Sequence, residues 1–112
     1  MGYIVHDAII VTAWNEKHLR PAIEKARELG LPTSEVAVSV MNGYVSFLIA
    51  PDGSKEGWAD SNLGDAARNM WKVWAVDAQK LDIWFDWCHV RYGGDEPARN
   101  TQVVEFGVPK DE

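Results

Sequence analysis

A lone cysteine, Cys88, denies this 112-residue chain any internal disulfide, so the fold must be held by burial rather than by covalent staples. No apolar run reaches the roughly 20 residues needed to cross a bilayer, and nothing at the start reads as a secretion leader. The expected setting is cytoplasmic, with no membrane partner. Cations are scarce too: 11 Lys and Arg stand against 17 Asp and Glu, for a formal charge of −6. Affinity for phosphate backbones comes largely from Lys and Arg, so nucleic acid is not an expected partner. Cys88 and His89 are sequence neighbours with no second Cys or His at ligand spacing, and neither a metal nor another cofactor is expected.

What the chain does have is apolar mass. Hydrophobic residues make up 46% of it, and six are tryptophans, enough for one packed domain that buries roughly 60–70% of its unfolded surface. The expected domain covers residues 1–108, with a frayed tail at 109–112. Asn42-Gly43 lies between the apolar runs Val36 to Met41 and Tyr44 to Ala50. That pattern predicts a hairpin with a two-residue type I′ turn. Before it, Tyr3 to Trp14 is apolar on both parities, as for a strand covered on both sides. Asn15 is then a helix N-cap, and Leu19, Ala22, Ile23, Ala26 and Leu29 recur at helical spacing until Gly30 and Pro32.

Past the hairpin, Pro51-Asp52-Gly53 opens a turn. A second helix is predicted from about Ser61 to Lys80, with Leu63, Ala67, Met70, Trp74 and Ala78 as its apolar stripe and Trp71 beside it. Two further strands follow, Ile83 to Tyr92 and Gln102 to Phe106, joined by a polar Gly93-to-Pro97 loop. The order βαββαββ predicts an α+β, ferredoxin-like βαββαβ sandwich with an additional C-terminal strand and sheet order 5-4-1-3-2. Both helices then lie on one face of an antiparallel sheet. The other face needs a cover, and a homodimer or higher homo-oligomer supplies it.

Candidate site residues fall in two groups. On the fourth strand, Trp84, Asp86, Trp87, His89 and Arg91 put charged groups among aromatics, as at protein interfaces and in pockets for planar ligands. The plain alternative is that the tryptophans fill the core, and the sequence leaves open which parity meets the helices. Around the second helix, Lys55, Trp58 and Arg68 accompany a loop whose amides, followed closely by the helix N-terminus, offer a place for a small anionic ligand. The plain alternative there is a solvated connector. An RNA recognition motif needs exposed aromatics two residues apart on its third strand, whereas Tyr44 and Phe47 fall on opposite faces.

The stretch Phe47 to Trp58, with Pro51-Asp52-Gly53-Ser54-Lys55-Glu56-Gly57-Trp58 as its distinctive part, resembles small uncharacterised proteins carried by phages and prophages. The resemblance implies no catalytic residues. It implies a setting in which small acidic proteins block a host protein or sequester a signalling molecule. The leading expectation is therefore a non-enzymatic, oligomeric binding protein, a phage accessory factor acting on a host protein or a nucleotide-like ligand. The alternative is a small hydrolase or isomerase using His6, Asp86 or His89 as acid or base at a subunit interface.

Overall fold

The computed structural model describes residues 5–53, 59–94 and 101–107. In chain order the elements are β1 (Val5–Ala13), α1 (Glu16–Glu28), β2 (Ala37–Val38), β3 (Val45–Ile49), α2 (Ala59–Ala78), β4 (Asp86–Gly93) and β5 (Gln102–Gly107), with a 3-10 turn at Gln79–Leu81. The fold is α+β: two helices and a five-stranded antiparallel sheet in the order β2-β3-β1-β4-β5.

Register decides the rest. Val11 lies opposite Phe47 on one side and Trp87 on the other, and Ile9 opposite Ile49 and His89. Side chains of paired residues share a face, so Asp7, Ile9, Val11, Val45, Phe47, Ile49, Trp87 and His89 form one surface. It is buried against Leu19, Ala22 and Ala26 of α1 and Trp71, Ala75 and Ala78 of α2. The parity of β4 that the sequence left open is thereby fixed: Phe85, Trp87, His89 and Arg91 face the helices. Among the described residues the opposite sheet face carries no helix, and Ile10 at its centre is 46% exposed.

Local chemistry explains the helix ends. Asn15 is extended, at φ −157°, and its side-chain oxygen accepts the His18 N–H at 3.1 Å. At the other end Gly30 has φ 79°. Its N–H reaches the Arg27 carbonyl while the Leu31 N–H reaches that of Ala26, the paired bonds of a Schellman ending. The stretch after α2 stops in the same style, with Asp82 at φ 61° and the Ile83 N–H bonded to the Ala78 carbonyl.

Two expectations are corrected. Asn42 and Gly43 both have φ 66°, but Val38 pairs with Val45 and the Ser39 N–H bonds to the Tyr44 carbonyl. The hairpin therefore closes around a four-residue loop, 40–43, rather than a two-residue turn, and β2 shrinks to two residues. On α2, Leu63 and Met70 are 70% and 57% exposed, while the buried stripe is Arg68, Trp71, Lys72, Ala75 and Ala78. The helix is rotated from the apolar reading because Trp71 has the largest surface to bury and because Arg68 and Lys72 find buried partners.

Candidate functional site

The first cluster of functional-looking groups lies under α2. Asp7, Arg68, Lys72 and His89 are all buried. His89 Nε2 meets Asp7 Oδ1 at 2.9 Å, its Nδ1 meets Lys72 Nζ at 2.8 Å, and Arg91 Nε donates to Asp7 Oδ1 at 3.0 Å. A donating ammonium at Nδ1 places the imidazole proton on Nε2, where Asp7 accepts it. Lys72 also pairs with Glu105 at 2.9 Å, and Arg68 pairs with Asp7 at 3.9 Å, Asp52 at 3.4 Å and Asp65. Burial pushes the Asp7 carboxyl up. The hydrogen bonds from His89 and Arg91 and the guanidiniums of Arg91 and Arg68 outweigh it and bring its pKa down to about 2.

The arrangement resembles a relay, yet every member is satisfied by another, and no described buried side-chain polar atom lacks a partner. At position 64 a Cβ would displace the Asp52 carboxylate that pairs with Arg68. Such a network fixes α2 on the sheet.

The second cluster is a pocket of about 590 Å³ at one end of the sheet, lined by Thr12, Ala13, Trp14, Lys17, His18, Tyr44, Asp82, Trp84, Phe85 and Asp86. The strand registers build it. Extending the β1–β3 pairing one step beyond Ala13↔Val45 puts Trp14 opposite Tyr44. Extending the β1–β4 pairing two steps beyond Thr12↔Asp86 puts it opposite Trp84. The three aromatic residues thus come to one end of the sheet, where they line the pocket together with Asp86. Trp14 is 60% and Tyr44 43% exposed. The capped first turn of α1 adds Lys17 and His18. The His18 Nδ1 accepts the Trp84 backbone N–H at 3.0 Å, and its ring lies 5.8 Å from that of Trp14. The side chains of Lys17, Asp82 and Asp86 make no ion pair or hydrogen bond among the described residues.

Of the residues singled out from sequence, Trp84 and Asp86 meet in this pocket. Trp87 is core, packed edge-on to Trp71 at 5.8 Å. Arg68, His89 and Arg91 belong to the ion-pair network. Lys55 and Trp58 lie outside the described residues, as does most of the loop that carries them. His6 lies tilted against Tyr92, ring centroids 5.2 Å apart, so His6, Asp86 and His89 sit in three separate environments and form no joint acid-base site. Sequence reasoning missed Asp7 and Lys72, and in the pocket Trp14, Lys17, His18, Tyr44 and Asp82. Among the described residues no group of His, Cys, Asp and Glu is placed to hold a metal ion, and no helix is long and apolar enough to cross a membrane. No family model, curated protein or solved structure matches the chain.

Proposed function

We propose that this is a non-enzymatic, homodimeric binding protein that holds a small planar ligand in the Trp14–Tyr44–Trp84 pocket. The observation that carries the proposal is that Trp14, Tyr44 and Trp84 line one cavity together with the polar groups of Lys17, His18, Asp82 and Asp86. Pockets that are mostly aromatic with a few placed polar groups are the usual form of small-molecule sites. Exposed indole and phenol rings lose unfavourable hydration when a flat ligand stacks on them. Sequestration is also the role implied by the phage-protein resemblance, which rests on the Phe47–Trp58 segment alone. The topology, with β1 between β3 and β4 and β5 added at the β4 edge, reads as ferredoxin-like.

Native mass spectrometry of the protein purified from a bacterial host tests the pocket. The expected result is a small-molecule adduct that disappears on denaturation and is missing from Trp14→Ala. An adduct retained by Trp14→Ala places the ligand elsewhere. Trp14 is exposed, so the variant is expected to fold as the parent does.

The dimer half of the proposal rests on the open sheet face. Ile10, Leu48, Cys88, Val90, Val103 and Phe106 form an apolar patch on that side by register, with Thr12, Ser46 and Asp86 at its end. Strand spacing of about 4.8 Å over five strands about six residues long gives a face on the order of 500 Å². Two such faces bury about 1,000 Å², at the lower edge of what a specific interface needs. The expectation is a weak dimer seen by sedimentation velocity at tens of micromolar, converted to monomer by Ile10→Lys with unchanged circular dichroism. A parent protein that stays monomeric at several hundred micromolar contradicts it.

A further inference from the structure

We infer that the pocket's occupant is a planar nitrogen heterocycle bearing an exocyclic amine, neutral or cationic and not anionic; this rests on the pocket being the binding site, as proposed above. The aromatic row sets only that the ligand is flat. Its edge chemistry follows from the polar lining.

Asp82 and Asp86 offer carboxylate oxygens with no partner among the described residues, and ionised carboxylates are acceptors only. The group that satisfies them is an N–H donor, and a carboxylate makes that hydrogen bond short and strong. His18 supplies the opposite polarity. Its Nδ1 is occupied by the Trp84 backbone N–H, so the neutral ring carries its proton on Nε2 and has a donor left for a ligand acceptor. A ring nitrogen beside an amino group presents this donor and acceptor together along one edge, as aminopyrimidines and aminopurines do.

Charge points the same way. Two carboxylates line the pocket against one ammonium, Lys17, on a chain of net charge −6. An anion entering there meets repulsion that Lys17 alone does not cancel. An amine-bearing ring meets attraction from the carboxylates and from the aromatic faces.

The test uses two pairs of nucleosides that differ by amine against oxo at nearly constant shape: cytidine with uridine, and adenosine with inosine. Affinity is read by calorimetry and position by the indole N–H resonances of Trp14 and Trp84. The expected result is that each amine member binds at least about tenfold more tightly, with both indoles shifted. Asp86→Asn and Asp82→Gly should shrink that ratio. Asp82→Gly keeps the fold because Asp82 sits at φ 61°, where glycine is at home. Equal affinities within the pairs, or a ratio that survives both substitutions, overturn the ligand class while the shifted indoles leave the site standing. If no member moves Trp14 or Trp84, the site falls and this inference with it.

Discussion

Replacing Asp7 with alanine is expected to cost about 3–5 kcal/mol of folding stability, the range for breaking a buried ion pair by removing one partner. The loss leaves the His89 Nε2–H and the Arg91 Nε–H without their acceptor and takes one of three carboxylates from Arg68. Arg68→Ala is expected to fall in the same range, because Arg68 is 3% exposed and is the cation shared by Asp7, Asp52 and Asp65. Urea denaturation measures both, and a loss under 1 kcal/mol in either would show that the network does not hold α2 on the sheet.

The same carboxylate sets an acid limit. Asp7 titrates at about 2 in the folded protein against 3.8 for the unperturbed group. A depressed carboxyl pKa stabilises the fold fully above the unfolded value, and that contribution disappears as pH falls through the folded one. The shift corresponds to about 2 kcal/mol, lost between about pH 4 and pH 2. The stability gap between the parent and Asp7→Ala should therefore narrow across that window, and a constant gap contradicts the assignment.

Trp71→Ala should be comparably damaging, about 3–5 kcal/mol, as for other large aromatic deletions from a core. Trp71 is fully buried, and its ring packs within 6.0 Å of Trp74, Phe85 and Trp87. Its Nε1–H also donates to the Ala22 carbonyl at 3.1 Å, so one side chain ties α2 to α1 and to β4. Trp71→Phe should recover part of the loss by refilling volume without the hydrogen bond. Thermal unfolding of the two variants tests this, and a Trp71→Phe protein no more stable than Trp71→Ala would remove packing as the cause.

The elements and their order were legible because their signals are local: the Asn15 cap, the Gly30 ending and the strand runs each act within a few residues. The rotation of α2 was not, since an apolar stripe is read by counting hydrophobic residues and Arg68 and Lys72 count against it. They are buried only because Asp7, His89 and Glu105 come from three strands. A lone aspartate inside the apolar run from Ile4 to Val11 was the available clue, as a buried carboxylate in a central strand requires a cation. The pocket was half legible for the same reason. Trp84 and Asp86 stood out within one strand, whereas Trp14 and Tyr44 join them only through the registers on both sides of β1. Those registers are non-local.

The pocket itself is tested most directly by a ¹H–¹⁵N titration with cytidine and adenosine that follows all six indole N–H resonances at once. Trp14 and Trp84 line the pocket, Trp71 and Trp87 are buried in the core with Trp74 packed against it, and Trp58 belongs to the Pro51–Trp58 segment. The account predicts saturable shifts at Trp14 and Trp84 with Trp71 and Trp87 unmoved. Shifts confined to Trp58, or none at Trp14 and Trp84, would contradict it.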